Sequence, residues 1–134
     1  MKISIIGTGM IATEVIKMLR TEAKGIKITS IFSHSNKEKA LTLAKENDID
    51  HVYTDYAQLL KEDDADFVYI ALVNNAHYTY VRQALEAQRN VIVEKPFTST
   101  LEEAKLLAQM ARERGLYLFE AVTPLHTPNF QLVK

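Results

Sequence analysis

The stretch Lys2-Ile3-Ser4-Ile5-Ile6-Gly7-Thr8-Gly9-Met10-Ile11-Ala12 decides how the rest of this 134-residue chain is organised. Its first half, Lys2 to Ile6, is a short isoleucine-rich run of the kind that fits a pleated, packed strand. From Ile11 the period changes: Ile11, Val15, Met18 and Leu19 recur at helical spacing until the segment closes before Gly25. Between strand and helix stands G-x-G-x-x-A. Gly7 permits a tight turn, Gly9 offers a main chain without a Cβ, and Ala12 lets the helix pack closely on the strand. The free N–H groups and the dipole at such a helix start favour an anion. Gly7, Thr8, Gly9, Met10 and Ile11 are therefore the first candidate binding residues, for the pyrophosphate of a dinucleotide. The competing reading is a tight strand-to-helix turn that binds nothing.

The alternation continues along the chain. Ile26 to Phe32 predicts a second strand, and Lys37 to Asn47 a helix with Ala40, Leu43 and Ala44 on one face. Val52-Tyr53 is a brief third strand, followed by a short helix from Tyr56 to Lys61. Asp66 to Val73 is the most continuously apolar run, which suits an inner strand of a parallel sheet covered on both faces. A helix through Tyr78, Val81, Ala84 and Leu85 precedes the strand Asn90 to Val93. The next helix opens with a capping box, either Ser99 with Glu102 or Thr100 with Glu103. It carries Arg112 and Arg114 in its last turn and stops at Gly115, before a sixth strand from Leu116 to Glu120. The fold class that follows is α/β, a doubly wound, mostly parallel six-stranded sheet (Rossmann fold) in the order 3-2-1-4-5-6. That order opens a crevice at the carboxyl ends of strands one and four. Gly7–Ala12, Ser33–Ser35, Leu72–His77 and Glu94–Pro96 converge there.

Composition narrows the function classes. Sixteen Lys+Arg against 17 Asp+Glu give a net charge of −1, so there is no excess of positive charge for nucleic acid or an anionic membrane. The absence of cysteine removes disulfides, thiolate metal sites and a thiol nucleophile. No apolar run approaches the roughly 20 residues of a bilayer span, and the first residues do not resemble a secretory signal, so a cytoplasmic setting is expected. The four histidines, His34, His51, His77 and His126, show no ligand spacing, and no metal site is expected.

The end of the second strand bears on which dinucleotide is bound. An acid there would hold a ribose 2′-hydroxyl and mark NAD. About 24 residues past Gly9 the chain instead has Ser33-His34-Ser35-Asn36-Lys37, without an acid. Ser33, His34 and Ser35 can hydrogen-bond a 2′-phosphate, Lys37 or Lys39 can add charge, and the missing carboxylate removes a repulsion. The balance tilts slightly to NADP over NAD, although polar loop residues also arise for local turn reasons.

Asp66-Phe67-Val68-Tyr69-Ile70-Ala71-Leu72-Val73-Asn74-Asn75-Ala76-His77, followed by Val91-Ile92-Val93-Glu94-Lys95-Pro96-Phe97, resembles the Gfo/Idh/MocA (glucose-fructose oxidoreductase / inositol dehydrogenase) family. The likeness is to that family's N-terminal domain and runs from Lys2 to at least Thr123. Glu-Lys-Pro after strand five is its most specific part, supported by Asn-x-x-His after strand four and by Glu120-Ala121. Val73 departs from the family, which usually has proline before the asparagine.

The resemblance implies an NAD(P)-dependent dehydrogenase acting on a sugar- or polyol-like alcohol or carbonyl, with Lys95 as the catalytic residue between nicotinamide and substrate. Elementary chemistry agrees, because a positioned ammonium stabilises a carbonyl oxygen and tunes removal of a hydroxyl proton. By the same resemblance Glu94 reaches the nicotinamide ribose and steadies Lys95. Leu72, Asn74, Asn75 and His77 line the cofactor; either asparagine also suits a helix N-cap, and His77 suits cofactor contact and capping equally. The family's second domain, which builds the substrate pocket and the oligomer interface, has no counterpart in these residues. Residues 1–123 are expected to form the dinucleotide-binding domain. Residues 124–134, with Pro124 and Pro128, are expected to begin a connection toward that absent domain, so that this stretch alone binds without turnover. Two other readings stay open: a stand-alone dinucleotide sensor or regulatory module, and a methyltransferase-like nucleotide-binding domain in which Glu-Lys-Pro has no role.

Overall fold

The computed structural model describes residues 1–23, 25–72, 76–95, 98 and 100–121. Six strands and five helices alternate: β1 (Lys2–Ile6), α1 (Met10–Glu22), β2 (Lys27–Phe32), α2 (Lys37–Glu46), β3 (His51–Tyr53) and α3 (Tyr56–Glu62), then β4 (Phe67–Ile70), α4 (His77–Glu86), β5 (Asn90–Glu94), α5 (Leu101–Arg114) and β6 (Leu118–Ala121). The sheet runs β3-β2-β1-β4-β5-β6, and every pairing in it is parallel. This is the expected order, and the sheet is parallel throughout.

Strand side chains alternate faces, and each face buries its own core. Ile3, Ile5 and Tyr69 face α1 and α2, meeting Val15, Leu19 and Leu43. Ile6, Phe32, Val68 and Ile70 face the other helices, meeting Leu59, Val81, Leu85 and Leu107. The apolar run of strand four is explained by this double coverage: Val68, Tyr69 and Ile70 are all buried, between β1 on one side and β5 on the other.

Helix ends follow the chemistry of their sequences. The side chains of Asn36, Asp55 and Thr100 accept the N–H groups of Lys39, Gln58 and Glu103 at the starts of α2, α3 and α5. Of the two capping-box candidates, Thr100 is therefore the one in use. Gly115 ends α5 in the left-handed conformation at φ 68°, as its position predicted. The N-cap of α4 is Ala76, with no side-chain cap bond, rather than either asparagine. Asn74 and Asn75 lie outside the described residues, as do Val73, Pro96, Phe97 and everything from Val122 onward. Among the described residues no helix is long and apolar enough to cross a membrane, and no group of His, Asp and Glu is arranged to hold a metal ion.

Ile11 shares the helical spacing of Val15 and Leu19 but is 41% exposed, and the buried face is Ala12, Val15, Ile16 and Leu19. The helix turns Ile11 toward the crevice instead, because small Ala12 is the residue that fits against the strand.

Candidate functional site

Three backbone bonds tie the strand ends around the first loop. The Gly7 N–H donates to the Phe32 carbonyl at 2.9 Å, the Ala71 N–H to Ile6 at 2.9 Å, and the Ser33 N–H to Tyr53 at 3.0 Å. They fix the carboxyl ends of β1, β2 and β4 side by side, where the strand order reverses. A cleft of about 520 Å³ opens there, within the size range of small-molecule sites.

Gly7 and Gly9 contribute in opposite ways. Gly7 is at φ 123°, and a Cβ on it would stand 2.3 Å from the Ala71 carbonyl oxygen. It is glycine because β4 presses against it. Gly9 has an ordinary φ of −74°, and a Cβ on it would meet nothing within 4 Å. Its bareness serves no contact among the described residues. It is the N-cap of α1, has no side-chain cap bond, and opens a first turn without an acid. N–H groups orphaned at a helix start need an acceptor, and the dipole makes a negative one favourable. This cradle therefore fits a pyrophosphate.

The cleft wall is built from the expected segments. Thr8, Met10 and Ile11 line it beside the two glycines, with Met10 75% exposed. Ser33, His34 and Ser35 line it from the end of β2. Ser33 is buried, and its Oγ accepts the Asn36 N–H at 2.9 Å, holding the loop in shape. Leu72, Glu94 and Lys95 complete the wall from β4 and β5. His77 is fully buried, and its Nε2 meets the Leu72 carbonyl at 2.9 Å, which requires a proton on that nitrogen and anchors the rim from behind. Asn74 and Asn75 are outside the described residues.

Lys95 is exposed at the cleft, and it makes no ion pair among the described residues. Successive side chains along a strand point to opposite faces, and the Glu94 carboxylate is instead bonded to the Tyr69 hydroxyl at 2.5 Å. Burial, and then that carboxylate, hold the Tyr69 phenol above its ordinary range. Sequence reasoning missed two neighbours of the site. Ala71 lines the cleft, and its signal was its place just after the apolar strand, opposite a glycine. Tyr69 had no signal beyond strand alternation.

Comparison with known proteins agrees with this geometry. Residues 1–122 match the model of the oxidoreductase family Gfo/Idh/MocA, NAD-binding Rossmann fold. The chain belongs to the Gfo/Idh/MocA family. Among Gfo/Idh/MocA relatives, it is 32% identical over 133 residues to the uncharacterized oxidoreductase YgjR of Escherichia coli, covering 99% of this chain and 40% of the relative. It is 28% identical over 133 residues to the scyllo-inositol 2-dehydrogenase (NADP(+)) IolU of Bacillus subtilis, again covering 99% and 40%. The solved structure of KijD10, a 3-ketoreductase from Actinomadura kijaniata in complex with NADP, superimposes with a TM-score of 0.85 at 32% identity, over 96% of this chain and 40% of that one. The chain thus spans about 40% of the length of these Gfo/Idh/MocA relatives.

Proposed function

We propose that this chain is the dinucleotide-binding part of an NAD(P)-dependent dehydrogenase or reductase for a sugar- or polyol-like alcohol or carbonyl. The single observation that carries the reading is Gly9, whose missing side chain leaves open space at the uncapped start of α1. The names of the relatives support the substrate class, IolU as an inositol dehydrogenase and KijD10 as a ketoreductase.

The main-chain N–H groups after Gly9 hold the pyrophosphate, and Ser33, His34 and Ser35 take the adenosine ribose side. Their neutral hydroxyls and imidazole, with no acid among them, favour the 2′-phosphate of NADP. Glu94 accepts a hydroxyl of the second ribose. The nicotinamide ring of the bound dinucleotide supplies the hydride acceptor or donor. The exposed Lys95 ammonium stabilises the oxygen that gains negative charge as an alcohol becomes a carbonyl or the reverse. Residues 1–123 form the binding domain, residues 124–134 lead away from it, and the remaining length found in relatives completes the substrate pocket and any oligomer interface.

Calorimetric titration of the chain with NAD, NADP and their reduced forms tests this. Binding is expected, tighter for NADP, with no substrate turnover by these residues alone. Absence of any binding would overturn the cofactor reading, and equal or tighter NAD would overturn the NADP preference. In a protein of the relatives' full length, Lys95→Met is expected to lower kcat by about 10²–10⁴-fold, with the dinucleotide Kd nearly unchanged.

A further inference from the structure

Tyr69 is a polar side chain buried in an apolar layer. It is 1% exposed and belongs to the apolar cluster of Ile3, Ile5 and Ile92 on the α1 side of the sheet. A phenol buried so deeply must place its hydroxyl on a partner, and many such hydroxyls take a backbone carbonyl. This one reaches a carboxylate on the cleft wall.

The sheet register brings the two side chains to one face. Tyr69 pairs with Ile92 across β4 and β5, so Glu94, two residues beyond Ile92, stands on the same face one pleat nearer the cleft. The Tyr69 Oη donates to Glu94 Oε1 at 2.5 Å. Among the described residues it is the only hydrogen bond to that carboxylate, and it takes up Oε1 alone. Because burial keeps the phenol protonated well past neutrality, the donor is permanent over the working pH range.

We infer that Tyr69 is a positioning residue. By bonding Oε1 from beneath, it holds the Glu94 carboxylate in one orientation and presents Oε2 to a ribose hydroxyl of the dinucleotide. A free glutamate at the end of a strand samples several rotamers, and ordering it on binding weakens affinity; here it is already ordered in the ligand-free protein. The inference rests on the cofactor reading above, but its first half concerns only two residues of this chain.

The experiment combines a double-mutant cycle with a ligand-free crystal structure. Tyr69→Phe keeps the ring in the core and removes only the hydroxyl. It is expected to weaken the Kd of the preferred dinucleotide about tenfold, the scale of one hydrogen bond to a charged group. On a Glu94→Ala background the same change is expected to alter Kd less than about twofold, since nothing is left to position. An unchanged Kd for Tyr69→Phe alone, or a full additive loss on the Glu94→Ala background, would overturn the proposal. In the ligand-free Tyr69→Phe crystal the Glu94 carboxylate is expected to shift or split between rotamers. A carboxylate left in its original place would also overturn it. If the unmodified chain bound no dinucleotide, the cofactor reading would fall together with the ribose role. The crystal would still decide whether Tyr69 orients Glu94.

Discussion

Gly7 and Gly9 stand two residues apart and answer to different constraints, so the same substitution separates them. A Cβ at Gly7 collides with the Ala71 carbonyl in a backbone region that other residues avoid. Gly7→Ala is therefore expected to cost about 2–4 kcal/mol of stability, read as a lower denaturation midpoint. At Gly9 there is room and no strain. Gly9→Leu is expected to leave the midpoint nearly unchanged and to abolish dinucleotide binding; a variant that still bound would remove the basis of the cradle. The sequence motif carries both glycines, and with them Thr8, Met10 and Ile11 of the cleft wall. It does not say which glycine answers to the fold and which to the ligand, because that depends on how close β4 comes. Ile11 is a similar case. It shares the helical spacing of Val15 and Leu19, yet it lies off the buried face and lines the cleft. The bond from Tyr69 to Glu94 was illegible for another reason: it depends on the register between two strands, which no local pattern contains.

At the level of elements, periodicity and caps made nearly everything legible. Strand alternation, the Asn36, Asp55 and Thr100 caps and the left-handed Gly115 all follow from short-range chemistry. The end of β4 and the start of β6 were harder, since the apolar runs extend beyond the strands, past Ile70 in one and before Leu118 in the other. Pairing between elements also leaves one local mismatch. Ser4 and Ser30 are register partners across β1 and β2, at a point where the register shifts. Both are fully buried, and among the described residues neither hydroxyl has a hydrogen-bond partner. Unpaired buried hydroxyls cost more than a methyl in the same place. Ser4→Ala and Ser30→Ala are expected to be neutral or to raise stability by up to about 1 kcal/mol. A loss of more than that in chemical denaturation would contradict the absence of a partner.

For the whole molecule, titration adds a signature. Burial raises the phenols of Tyr56, Tyr69 and Tyr80 above their ordinary 10.0; Tyr80 also acts on Tyr56, and Glu94 on Tyr69. As pH rises past about 10, the unfolded chain releases these protons first. The unfolded state then binds fewer protons than the folded one, so stability falls with rising pH and is fully present below that point. Tyr56→Phe is expected to flatten the decline of the denaturation midpoint between pH 9 and pH 11, and an identical slope would count against the burial effect. The sheet order has a further consequence, for synthesis on the ribosome. β1 lies at the centre, and its edge toward β4 is closed only when residues some 64 positions later arrive, the distance from Lys2 to its Asp66 partner. At translation rates of about 5–20 residues per second, that edge waits roughly 3–13 s. Throughout that interval a nascent ribbon of isoleucines is open to the cell's chaperones, so the strand that begins the ligand cradle is also the one most in need of protection at birth.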